Sequence, residues 1–102
     1  MVFSLCMTKD DARLRISREM PELRRVFHVR KIGVFGSGAR GDDSETSDID
    51  ILVEFEQPIG FFDFIRLEDH LSEILGRRVD LVSRGALKES IAEEILAETA
   101  YV

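Results

Sequence analysis

Two aspartates, Asp48 and Asp50, stand two residues apart just before the apolar run Ile51-Leu52-Val53. On an extended segment that spacing points both side chains to one face. Carboxylates held within a few ångströms of each other repel unless a divalent cation sits between them. Ten residues separate Asp48 from Gly36-Ser37 upstream, which with Gly38 stops a second short apolar run, Ile32, Val34 and Phe35. Glycines there let the backbone take positive φ and come close to a ligand, which a Cβ would obstruct. Ala39 and Arg40 open a short helical turn whose free N–H groups suit a phosphate. A phosphate-cradling turn opposite a carboxylate pair describes an enzyme that handles a nucleoside triphosphate with Mg²⁺.

The elements that must position these groups follow from periodicity. Ile16, Met20, Leu23 and Phe27 fall at helical spacing through residues 9–28, with Pro21 expected to kink that helix or divide it in two. Thr8 would cap it, with Asp10 and Asp11 in its first turn. Met1–Met7 reads as a disordered or partner-docking tail, or as sequence ahead of a start at Met7. His28 reads as an exposed loop residue after the helix. The strand that begins at Asp48 runs to about Phe55, and residues 57–60 form a loop. Phe61, Phe64, Leu67, Leu71, Ile74 and Leu75 define an amphipathic helix ended by Gly76, its phenylalanines read as core. Arg66, Asp69, His70 and Glu73 take its solvent side. Residues 77–82 form a short strand in which Asp80 alternates with Val79 and Leu81, so this carboxylate is either edge-exposed or aimed at a site. A last helix covers 83–98, with Leu87, Ile91 and Ile95 turned inward. Alternating strands and helices argue for one α/β (α+β) domain over 1–102, a small mixed sheet with helices on one face and the two strands flanking the glycine turn antiparallel.

Composition limits the class. A chain of 102 residues with 44% hydrophobic and 33% charged residues has the balance of an ordinary soluble domain. One cysteine, Cys6, permits no internal disulfide and suits a reducing cytoplasm. No apolar stretch reaches the length of a membrane span. The net charge is −6, yet residues 9–31 carry eight basic and four acidic side chains. An acidic domain is a poor sequence-independent binder of nucleic acid. The basic segment is either a solvated helix face or a surface for phosphates or an acidic partner.

Gly36-Ser37, ten residues and then Asp48-x-Asp50 resembles the signature of the polymerase-β-like nucleotidyltransferase superfamily. The fuller string Gly-Ser-x-Ala-Arg-Gly…Ser-Asp-Ile-Asp-Ile-Leu-Val is similar to that of its smallest members, the minimal nucleotidyltransferases (MNT domains). The resemblance implies a polymerase-β-like fold, ATP as donor and two Mg²⁺ ions held by Asp48 and Asp50, with Asp80 as a third carboxylate. It assigns the β- and γ-phosphates to Gly36 and Ser37, while Arg40 either adds charge there or braces the loop. Asp42 and Asp43 are read as loop solvation. Small MNT domains resemble the antitoxins of HEPN–MNT pairs, which implies transfer of AMP to a tyrosine of a HEPN ribonuclease and a hetero-oligomer with it. Stoichiometric neutralisation without catalysis, or transfer to a small molecule, are the alternatives.

Overall fold

In a computed structural model, residues 9–35 and 48–102 are described. The chain runs α1 (Lys9–Phe27), β1 (Val29–Phe35), β2 (Ile49–Phe55), α2 (Phe61–Leu75), β3 (Val79–Ser83), a 3₁₀ turn (Arg84–Ala86), α3 (Glu89–Glu98) and β4 (Ala100–Tyr101). The four strands form one mixed sheet in the order β3-β2-β1-β4. β1 is antiparallel to β2 and to β4, whereas β2 and β3 are parallel. The expected mixed sheet and antiparallel central pair are therefore both present. The tail over 1–7 and the Thr8 cap lie outside the described residues.

One continuous core forms where α1 and α2 lie on the sheet. It joins Ala12, Ile16, Leu23 and Phe27 of α1 to Leu67, Leu71 and Leu75 of α2 and to alternate strand residues: Ile32 and Val34, Ile49, Ile51 and Val53, Val79 and Leu81. The period of two in the strands and of three to four in the helices puts those residues on facing surfaces. Phe35 and Leu52, which alternate with them, are also buried but turn to the opposite sheet face. Among the described residues, no helix is long and apolar enough to cross a membrane.

Four expectations are corrected. Of the kink or division expected at Pro21, the division does not occur: α1 runs through it as one helix. Pro21 and the residue a turn before it, Ser17, are both exposed, so water can take the carbonyl that proline leaves unbonded. Phe61 is not core: it is 71% exposed beside Phe62 at 80%, while Phe64 alone packs on the core, edge-on to Phe55. Residues 83–98 do not form one helix; the 3₁₀ turn precedes α3, whose buried residue is Ala92 while Ile91 is 45% exposed. His70 is not on the solvent side. It is half-buried against Phe27, and its Nε2 is buried without a hydrogen-bond partner, 3.8 Å from Glu19 Oε1. His28 is exposed as expected, and takes φ 58° where the chain turns from α1 into β1.

The sequence gives no hint of β4. It pairs with Gly33 and Val34, the Val102 N–H donates to the Ile32 carbonyl at 2.9 Å, and Arg13 Nε donates to the Tyr101 carbonyl at 3.0 Å. A Cβ on Gly33 would stand 2.6 Å from Thr99 Cγ2 and 2.9 Å from the Ala100 carbonyl oxygen. The close approach of β4 depends on that missing atom.

Candidate active site

β1 ends at Phe35, opposite Asp50 of β2, so the chain leaves the sheet toward Gly36 beside this aspartate. Ile49 and Ile51 are anchored in the core, which turns the side chain of Asp50 to the opposite face. Asp48 stands one step ahead of β2 and is exposed. On the other side of β2, Asp50 is in register with Asp80 of the parallel neighbour β3. Neighbouring strands lie about 4.8 Å apart, and register partners share a face. Two carboxylates far apart in sequence are thereby brought side by side, with the third two residues from one of them.

The electrostatics agree with this placement. The Asp50 carboxyl is held above its ordinary 3.8, first by burial and then by the charges of Asp80, Asp48 and Glu98. Each disfavours the ionised form. Asp80 is exposed and Asp50 only half-buried, so the group is open to a ligand on its solvent side. Among the described residues, no three acidic, histidine or cysteine side chains are already gathered tightly enough to hold a metal ion. The donor set nonetheless fits a hard divalent cation: it is all carboxylate, and it concentrates negative charge that a cation would relieve. Gly36, Ser37 and Arg40, read above as the phosphate-binding residues, lie outside the described residues, as do Asp42 and Asp43.

Residues 14–102 match the nucleotidyltransferase domain family. This chain belongs to that family. It is 46% identical over 96 residues to the protein adenylyltransferase MntA of Thermococcus cleftensis, covering 94% of this chain and 97% of that protein. A solved chain assigned to the minimal nucleotidyltransferases superposes with a TM-score of 0.77 at 36% identity, covering 92% of this chain and 95% of that one. The MNT antitoxin of Shewanella oneidensis, solved with its tri-AMPylated HEPN toxin, shares the fold at a TM-score of 0.63 and 22% identity, over 88% of this chain and 70% of that one. The resemblance drawn from the glycine turn and the Asp-x-Asp pair thus holds for family and fold. The protein is a minimal nucleotidyltransferase.

Two residues of this nucleotidyltransferase bear on the site and were missed in the sequence. Glu98 ends α3 and adds its charge to those acting on Asp50. β4 carries it there, because Ala100 opposes Val34 just before β1 reaches Phe35. Glu68 of α2 accepts a hydrogen bond from the Leu81 backbone N–H at 3.0 Å, next to Asp80. Neither residue sits in a motif, and only tertiary structure brings either near the carboxylates.

Proposed function

We propose that this nucleotidyltransferase is a Mg²⁺-dependent protein adenylyltransferase that moves AMP from ATP to a tyrosine of a HEPN-type toxin, and so serves as the antitoxin of the pair. The observation that carries this reading is the in-register pair Asp50 and Asp80, with Asp48 ahead of β2, beside Phe35 where β1 ends. The acceptor class is supported by the relatives: one is named a protein adenylyltransferase, and another is an antitoxin bound to its AMPylated toxin.

In the reaction, the tyrosine oxygen bonds to the α-phosphorus while the bond from that phosphorus to the oxygen bridging the β-phosphate breaks. Pyrophosphate leaves, and the phenolic proton passes to a base. Mg²⁺ would neutralise charge on the phosphate oxygens and ease ionisation of the attacking hydroxyl. Asp48 and Asp50 would hold it, and Asp80 would complete its shell on the acceptor side. Being exposed there, Asp80 can also take the phenolic proton or pass it to water. Gly36 and Ser37 would bind the β- and γ-phosphates through backbone N–H groups and the serine hydroxyl, with Arg40 adding charge or bracing the turn.

A stoichiometric antitoxin is the competing reading, favoured by the absence of a tight ligand cluster among the described carboxylates. Intact-mass comparison of a cognate HEPN protein before and after incubation with this chain, ATP and Mg²⁺ separates the two. Mass added in AMP units by the wild type, and none by Asp48→Asn/Asp50→Asn, is the expected result. A stable complex without added mass, and neutralisation retained by the double variant, would refute catalysis.

A further inference from the structure

β3 is an edge strand of the sheet among the described residues, and it carries Asp80. The Ile49 N–H donates to the Arg78 carbonyl at 3.0 Å, so the backbone groups of Arg78, and by alternation those of Asp80 and Val82, face β2. Those of Val79, Leu81 and Ser83 face away from it. An outward N–H on an edge strand has no ladder partner and must find another or face water. Leu81 finds Glu68, whose Oε2 accepts from it at 3.0 Å in a part-buried bond.

Glu68 sits beside the apolar stripe of α2, between Leu67 and Leu71, and is itself half-buried. A carboxylate at such a position costs stability unless it is hydrogen-bonded, and the Leu81 N–H supplies that bond. The result is a strand held on both sides. β2 grips it through the residues in phase with Asp80, and α2 grips it through the next residue along. Without the second grip, the edge could shift or fray by the fraction of an ångström to an ångström that matters to groups meeting a reacting phosphate.

We propose that Glu68 is a positioning residue for nucleotidyl transfer: by anchoring the Leu81 N–H to α2 it fixes the edge strand and sets Asp80 beside Asp50. This rests on the adenylyltransferase reading and on Asp80 serving the acceptor side of the reaction. It requires reach rather than charge at position 68. The donor nucleotide, assigned to the glycine turn and to Asp48 and Asp50, should be bound independently of it.

Reach and charge come apart in three variants. Glu68→Gln keeps an acceptor oxygen at the same distance without charge. Glu68→Asp keeps the charge but draws it back by a methylene, and Glu68→Ala removes both. Each is assayed with the HEPN acceptor, ATP and Mg²⁺, and amide hydrogen exchange at Leu81 is followed in parallel. Glu68→Ala and Glu68→Asp should lower kcat about tenfold while leaving KM for ATP within about twofold. Both should lose Leu81 protection, and Glu68→Gln should keep the activity and the protection of the wild type. Should Glu68→Ala fail to fold, the Asp and Gln pair carries the comparison.

Activity retained by Glu68→Asp and lost by Glu68→Gln would overturn the inference in favour of a charge effect. Unchanged kcat with Leu81 protection lost would overturn it too, and new self-association of that variant would assign Glu68 to guarding the sheet edge. Failure of the wild-type chain to transfer AMP at all would refute the adenylyltransferase reading, and this inference with it. An active wild type with equally active variants would sink only the inference.

Discussion

Burial and three neighbouring acids keep the Asp50 carboxyl above its ordinary 3.8. A carboxyl raised in the folded chain binds its proton more tightly there than in the unfolded chain. Folding therefore carries a penalty that is fully present above the raised value and fades as pH falls through it toward 3.8. A structural aspartate gains nothing from such a position, whereas a cation ligand does. Asp50→Asn should accordingly raise the melting temperature of the protein in EDTA at about pH 7 by ~2 °C, a small effect because the group is half-exposed. The gain should shrink as pH is lowered toward 3.8, because the wild-type carboxyl takes up its proton in the fold before it does so in the unfolded chain. The same variant should lose on the order of 10³-fold in transfer rate, read by the mass assay under single-turnover conditions. A variant less stable than wild type at neutral pH would mean that Asp50 is held by favourable bonds.

At the scale of elements, β4 decides how the C-terminal segment approaches the site. Two residues cannot show a period, so no pattern in Ala100-Tyr101 announces a strand; Gly33, opposite Tyr101, makes room for it. Gly33→Ala should cost about 1–3 kcal/mol, since the new methyl meets Thr99 and the Ala100 carbonyl, and backbone cannot yield as a side-chain end does. Urea denaturation gives the cost, and loss of exchange protection at the Val102 N–H, which bonds to Ile32, locates it at β4. A stable variant with Val102 still protected would show that β4 tolerates displacement.

The same contrast explains what was legible in the sequence. The apolar stripe of α2 and the alternation around Asp80 are local patterns, and both reappear in the fold. The carboxylate pair before Ile51 is a local pattern too, with Asp50 on β2 and Asp48 one step ahead of it. The pairing of Asp50 with Asp80 was expected only through family resemblance, because it needs a parallel register that no local spacing encodes. Glu68, Glu98 and the exposure of Phe61 depend on which neighbour covers a residue, and periodicity is silent on that. Phe61 occupies a position in phase with the buried stripe, yet it lies in the first turn of α2, beyond the reach of the core.

For the whole molecule, net charge and site charge predict different responses to ions. With a net charge of −6, any salt screens self-repulsion a little, and a divalent ion does so without needing a site. A bound ion does more, because it stabilises only the folded chain. At about tenfold over its Kd it adds about 1.4 kcal/mol, on the order of 6–10 °C for a domain of this size. Mg²⁺ or Mn²⁺ should therefore raise the melting temperature of the wild type well beyond NaCl of equal ionic strength, with a midpoint that tracks ion concentration. Asp48→Asn/Asp50→Asn should begin higher in EDTA, for the reason given for Asp50, and gain no more from Mg²⁺ than from NaCl. A double variant that gained as much as the wild type would place the effect in diffuse screening of the acidic surface. The carboxylates would then have no demonstrated cation to hold, and the stoichiometric antitoxin would become the better account of the same fold.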